Sequence, residues 1–353
     1  MPLLPLWLAG DNGEPHEADP RGALARAKQR CLDAGLTPVV GTELEFYLLS
    51  PQSPGLAPAI FPYSSKPFTG GGVLSLDELQ SIQPFLDEVY RISEASGVSP
   101  DGSIAEGGPG QFEIAIAHGD DVMKAADDFL ILKYIIRHAA RKHGFDACFM
   151  AKPFPELSGC GFHVHLSLLD KEGANVFSSG APSENSVLRA AVGGLLDALI
   201  PSTLVFAPHL NSYRRFAETS LAPTTISWGI ENRTSAIRIP DGSAEARRIE
   251  HRVPGADANP YLVLAVILNA VLDGIERKAD PGPPNQENSY ASGTARIPGN
   301  WADAMKAFEA GEAAHKLLPS LLSRSFALCK SQELAVFSAR MTDFEIDSYK
   351  GTV

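Results

Sequence analysis

Arg247-Arg248-Ile249-Glu250-His251-Arg252-Val253 alternates strictly between two kinds of position. Successive side chains of a strand leave on opposite sides, so Arg248, Glu250 and Arg252 share one face and Ile249, His251 and Val253 the other. A half-buried strand ordinarily turns apolar residues to the core and mixed polar residues to water. Two arginines flanking a glutamate suit a phosphate beside a metal ion. They also suit a surface ion-pair ladder. Four further stretches repeat the arrangement, and this favours a site.

Upstream, residues 231–240 end as a strand, and Arg214, Arg215, Arg233, Arg238, Arg247, Arg248 and Arg252 crowd one region. Residues 158–168 set His163, His165 and Ser167 opposite Phe162, Val164, Leu166 and Leu168. Two histidines at i and i+2 more often share a ligand or metal than serve a core. Cys160 lies off that parity with no second thiol near it in sequence, which disfavours zinc. In residues 41–49, Glu43 and Glu45 oppose Leu44 and Phe46. Adjacent carboxylates on a strand repel unless a cation lies between them, a solvated edge being the alternative. Residues 104–117 carry Glu106-Gly107-Gly108-Pro109-Gly110 into Gln111 and Glu113, which face away from Phe112, Ile114 and Ile116. These glycines lack the Lys-Ser/Thr ending of a phosphate loop. They read as a turn that lets Glu106 and Glu113 approach one point.

Between the strands the spacing predicts helices over 19–35, opened by Asp19-Pro20, and over 76–97, broken at Pro84. Another covers 122–143, the clearest amphipathic run, and one at 187–200 is stopped by Pro201. A core helix follows from 259 to about 278, with shorter ones such as 301–310 and 326–338. Residues 51–72, rich in Pro, Gly and Ser, read as a loop over a site.

With 353 residues the chain can bury a large core, and its net charge of −12 argues against nucleic acid or anionic membrane as partner. An arginine cluster in an acidic protein points instead to a small anionic ligand. Cys31, Cys148, Cys160 and Cys329 are scattered with no C-x-x-C pair, suggesting reduced thiols and a cytoplasmic setting. The apolar start is short and lacks a basic leader, and no later stretch reaches spanning length without charges. A soluble protein is expected.

Five charged-face strands imply one curved antiparallel sheet, its polar side lining a funnel and its apolar side backed by helices, an α+β architecture. The funnel would hold Glu43, Glu45, Glu106, Glu113 and Glu250 with His163 and His165. So many buried carboxylates need raised pKa values or divalent cations, and oxygen-rich ligation suits Mg²⁺ or Mn²⁺. Arginines around such ions are the parts of phosphoryl transfer, without a Walker A or kinase motif. An H-x-H metal oxygenase fits poorly, given the surplus of carboxylates and arginines.

The stretches GTELEFYLL (41–49), EGGPGQFE (106–113), GCGFHVHLSL (159–168), NSYRRF (211–216), ENRTSAIRIP (231–240) and ARRIEHRVPGADANPYL (246–262), in this order, resemble the glutamine synthetase catalytic domain. WGIENRT and IEHRVPGADANPYL are most similar in wording to its γ-glutamyl-polyamine synthetase branch. The resemblance covers residues 19–353 and implies the glutamine synthetase/guanido kinase-like fold. It implies that Glu45, Glu106 and Glu113 hold a first metal beside the substrate, and that Glu43, His163 and Glu250 hold a second on the ATP phosphates. His165 and Ser167 would contact ATP, and Arg238 and Arg248 its phosphates. Arg215, with Gly159 nearby, would take glutamate, and Arg233 and Arg252 would stabilise the γ-phosphoryl group in flight. The implied reaction makes γ-glutamyl phosphate from ATP and glutamate, which an amine then converts to an amide.

Two departures from the family stand out. A flap glutamate that helps bind and deprotonate ammonium is replaced by Leu221, and Ser158 stands where glutamine-forming members have asparagine. Leu221 cannot hold a small cation but can pack against methylenes, so a primary amine larger than ammonia is expected, with Glu218 a substitute base. Residues 1–18 are expected to be a short remnant where the family has a β-grasp domain. That domain completes the neighbour's site in a ring, so the expected homo-oligomer depends on it. Glutamine synthetase proper, or a non-catalytic sensor of glutamate or amines, are the other readings.

Overall fold

The computed structural model describes residues 3–353 except 52, 54, 61, 63–66, 71, 218–219, 292–294 and 312–315. Its longest strand, β1 (Thr37–Leu49), is mostly buried. It is joined by β2 (Pro100–Ala105), β3 (Gln111–Gly119), β4 (Asp146–Cys148), β5 (Phe162–Leu169), β6 (Trp228–Ile230), β7 (Ile237–Ile239) and β8 (Ile249–His251) in one eight-stranded sheet. The order is β2-β3-β1-β5-β8-β7-β6, with β4 paired to the end of β1 beyond β5.

One pair departs from the antiparallel expectation: β6 and β7 run parallel. The chain leaves β6 through Glu231, whose φ of 53° is left-handed, loops out, and re-enters beside β6 in the same direction. Asn232 ties that loop down, accepting from Thr234 and donating to the carbonyls of Asn285 and Glu287. The strand expected over 247–253 is shorter, but its parity holds: Ile249, His251 and Val253 are buried in the core.

The apolar face carries Leu44, Phe46, Phe112, Ile114, Phe162 and Val164, all buried. Helices α1 (Pro20–Asp33), α2 (Leu76–Ser81), α3 (Gln83–Ala95) and α4 (Val122–Lys142) belong to this half of the chain. Phe129 of α4 lies with its ring centroid 4.0 Å from that of Phe162. Asp19 caps α1, accepting from the amide of Arg21 at 3.0 Å, and Pro84 sits in the first turn of α3, where its missing N–H costs nothing.

α5 (Ser186–Phe206) runs through Pro201 instead of stopping there. The carbonyl that Pro201 leaves unpaired belongs to Asp197, an exposed residue, so water can satisfy it. Continuing the helix buries Leu204, Val205 and Phe206, which outweighs one lost bond. By length and composition α5 is the one described helix apolar enough to cross a membrane, yet 72% of its apolar window is buried inside the protein. It packs on α6 (Pro260–Arg277), which Asn259 caps. α7 (Trp301–Ala310), α8 (Ser320–Ser338) and α9 (Asp343–Tyr349) finish the chain.

Candidate active site

Strand register builds the site on the polar face. Residues directly opposite in an antiparallel pair have Cβ atoms about 5 Å apart. β1 on β3 sets Glu45 against Glu113, and β1 on β5 sets Glu43 against His163. β5 on β8 sets His165 against Glu250, and β8 on β7 sets Glu250 against Arg238. Glu106 arrives from the β2–β3 turn. A Cβ on Gly108 there would lie 2.0 Å from the Tyr47 hydroxyl, so only glycine lets the turn close over β1.

Among the described residues three groups of ligand atoms result, each within 4.8 Å of one another: Glu45, Glu106 and Glu113; Glu43, Glu113 and His163; Glu43, His165 and Glu250. The first is the set implied for the substrate-side metal. The second implied set is divided between the other two groups. His163 Nδ1 lies 2.9 Å from Glu43 and 3.9 Å from Glu250, and His165 groups with the same two carboxylates.

Electrostatics sorts these carboxylates into two kinds. Burial works to raise Glu250, but Arg252, the two histidines and Arg238 outweigh it and hold the group at about 2. Burial likewise opposes ionisation of Glu43, yet His163 Nδ1 at 2.9 Å and His165 Nε2 at 2.8 Å hold it far below the usual range. Glu106 is pushed up to about 7 by burial and by Glu45. Glu113 is pushed well above its usual range by burial and by Glu43, Glu45, Glu106 and Glu250. Carboxylates that keep their protons this way sit where positive charge is wanting. An all-oxygen donor set with that deficit fits Mg²⁺ or Mn²⁺.

Metal binding is therefore expected to be linked to pH. Where a folded carboxylate keeps its proton above the unfolded value of about 4.3, stability falls as pH rises between the two values. A bound cation removes that loss. Mg²⁺ or Mn²⁺ should raise the melting temperature more at pH 8 than at pH 6, and calorimetry in two buffers should show proton release. Equal increments at both pH values would contradict the assignment.

The arginines surround the cluster. Arg215, 4% exposed, donates to the carbonyls of Val253 at 2.8 Å and Arg252 at 3.2 Å. Burial pulls its pKa down, Glu45 opposing and Arg252 assisting. Arg252 donates to Glu250 through Nη1, while its Nε is buried with no protein partner. Arg248 Nε donates to His165 Nδ1 at 3.1 Å. Arg233 is solvent-exposed on the β6–β7 loop, close enough to Glu106 to lower its pKa slightly against burial and Glu45. His165, Ser167, Glu43 and Arg248 line a cavity of about 660 Å³; Arg238 stands outside it, between Glu231 and Glu250.

The loop carrying Gly159 hangs from three side chains. Lys152 Nζ donates to the carbonyl of Leu157, Tyr47 to that of Ser158 at 2.8 Å, and Gln111 Nε2 to that of Gly159 at 2.9 Å. Gln111 Oε1 also accepts from Gly108 N–H at 3.0 Å, joining this loop to the Glu106 turn. Sequence parity set Gln111 on the polar face but gave it no duty, and nothing local marked Tyr47 or Lys152. A Cβ on Gly161 would lie 2.7 Å from His163 Nε2, 2.9 Å from Arg215 Nη2 and 3.2 Å from Glu45 Oε1. Imidazole, guanidinium and carboxylate thus converge on one point.

An open α+β sheet with carboxylates and arginines clustered on its polar face fits the glutamine synthetase class, and the chain belongs to that family: residues 17–349 match its catalytic domain. It is 37% identical to γ-glutamylputrescine synthetase PuuA of Escherichia coli K12, covering 97% of this chain and 73% of that protein. It is 34% identical to a glutamate–isopropylamine ligase of a Pseudomonas species, over 96% of this chain and 74% of the relative. Glutamine synthetases are among its relatives too. The solved structure of apo GmaS superimposes with a TM-score of 0.85 at 32% identity, covering 96% of this chain and 78% of that one.

Proposed function

We propose that the protein is an ATP-dependent ligase joining a primary amine larger than ammonia to the side-chain carboxylate of glutamate. Leu221 is the observation that carries the amine preference. It holds a left-handed backbone, φ 56°, with 57% of the residue exposed. That conformation costs a leucine about 1 kcal/mol or more, and exposed apolar surface recovers nothing until an alkyl chain covers it. Relatives named for putrescine and isopropylamine support an alkyl acceptor.

In this reading Glu45, Glu106 and Glu113 hold one cation, and Glu43, His163 and Glu250 hold another, with His165 at its edge. Bound there, Mg²⁺ or Mn²⁺ supplies neutralisation of phosphate charge. His165, Ser167 and Arg248 bind ATP along the cavity, and Arg238 fixes its phosphates from the far side. Arg215, beside Gly159, holds the glutamate α-carboxylate, so the γ-carboxylate points at the terminal phosphorus. Its oxygen attacks, the bond to ADP breaks, and Arg233 and Arg252 take up charge on the equatorial oxygens. The amine nitrogen then attacks the acyl carbon, loses a proton and expels phosphate. Glu218, expected as the base, lies outside the described residues.

A phosphate-release assay with glutamate, Mg²⁺ and a panel of amines tests this reading. Putrescine or a similar alkylamine should far outrun ammonium, and ammonium at equal rate would overturn the acceptor assignment in favour of glutamine synthesis. Leu221→Glu should lower kcat/KM for alkylamines about tenfold or more while raising it for ammonium. Homo-oligomerisation belongs to the same reading. Exposed Leu328, Val336, Phe337, Met341 and Phe344 on the C-terminal arm support it, and native mass spectrometry would test it.

A further inference from the structure

Glu231 stands at the outer end of a four-member charge ladder. Both its oxygens accept from Arg238 Nη2, at 3.1 and 3.0 Å, and Oε1 also accepts from the amide of Asp241. Arg238 Nη1 donates to Glu250 Oε2 at 2.6 Å, and the other oxygen of Glu250 accepts from Arg252. Glu231, Arg238, Glu250 and Arg252 therefore run in alternating sign across β6, β7 and β8. Glu250 and Arg252 lie within the site; Glu231 is exposed and belongs to none of the ligand groups.

Two features mark Glu231 as more than a surface partner. Its φ of 53° is a conformation that glutamate, unlike glycine, adopts at a cost. Its side chain is 47% exposed against 10% for Arg238, so solvent partly screens the pair and limits what it adds to stability. Strain kept for so small a return is better explained by what the carboxylate does to Arg238. Without Glu231, the guanidinium is held at one end only, by Glu250, and is free to swing about Nη1. With Glu231 present it is gripped at both ends and kept as a flat donor plane beside Glu250.

We propose that Glu231 is a positioning residue for nucleotide binding, its strained backbone aiming a carboxylate that fixes Arg238 in the orientation the ATP phosphates require. This inference rests on the proposed role of Arg238. Glu231→Gly relieves the strain and removes the grip, whereas Glu231→Gln keeps the shape and one acceptor while losing the charge.

Binding of a non-hydrolysable ATP analogue with Mg²⁺, measured by calorimetry on the whole chain, tests the proposal alongside melting temperature. Glu231→Gly should weaken nucleotide binding about tenfold, and Glu231→Gln about threefold. Both should leave the melting temperature within about 2 °C of the parent, a split that a merely structural bridge would not give. In an Arg238→Gln background the same substitutions should cost no further affinity, because Glu231 acts only through Arg238. Unchanged binding in both Glu231 variants, with Arg238→Gln weakening it, overturns the proposal and leaves the role of Arg238 standing. So does a penalty that persists undiminished in the Arg238→Gln background. If Arg238→Gln itself leaves nucleotide binding intact, the phosphate assignment of Arg238 fails and the proposal with it.

Discussion

Glu113→Gln is expected to reduce glutamate- and amine-dependent ADP formation about 10³-fold or more, and at pH 8 to make the metal-free protein more stable. The two effects have one cause. Glu113 is a donor to the first proposed cation and also lies beside Glu43 and His163 of the second, so a single substitution removes an anionic donor from one site and a charge next to the other. Glutamine keeps the shape but cannot supply the charge a hard cation needs. In the metal-free state that same charge is a burden. Burial and four neighbouring carboxylates hold the Glu113 pKa well above the unfolded value, so raising the pH towards it steadily removes stability. A neutral side chain escapes that loss. Melting curves with and without Mg²⁺ should therefore cross: the variant melts higher in chelator, the parent higher in metal. A variant that melts lower in chelator and keeps a normal metal response would refute Glu113 as a metal ligand.

Arg252→Lys should lower kcat by about 10²–10³-fold while changing KM for ATP and glutamate little. Arg252 is 5% exposed, with Nη1 on Glu250 and a buried Nε that has no partner among the described residues. A buried donor left unpaired is costly, and a phosphoryl oxygen arriving in the transition state is a chemically apt partner for it. Lysine preserves the charge beside Glu250, so the core is spared the penalty of an isolated buried carboxylate. It lacks the planar fork that serves a carboxylate and a phosphoryl group together. Pre-steady-state measurement of ADP formation isolates the affected step. A rise in KM with kcat intact would mean that Arg252 serves substrate binding instead.

Much of this arrangement was legible along the chain because strands write their two faces into alternate residues. Glu43 with Glu45, His163 with His165, and Glu250 between Arg248 and Arg252 were placed by parity alone. Helix caps at Asp19 and Asn259 and the proline of α3 obeyed local chemistry. Pro201 did not, because the apolar surface buried beyond it exceeds the value of one backbone bond. The parallel pairing of β6 and β7 was illegible for a similar reason: Glu231 takes a backbone conformation that its residue type disfavours, and no local pattern announces that.

The amino-acid order by itself determined which side chains share a polar face, that the set is rich in hard oxygen donors and arginines, and which family the chain resembles. Periodicity and composition are properties of neighbours, and neighbours suffice for those conclusions. Tertiary structure decided which strand lies beside which, and hence that Glu45 meets Glu113, that His165 as well as His163 comes up to Glu43 and Glu250, and that Gln111 links two loops. Those relations join residues far apart in the chain. Register between strands fixes them, and register is set by the packing of the whole core.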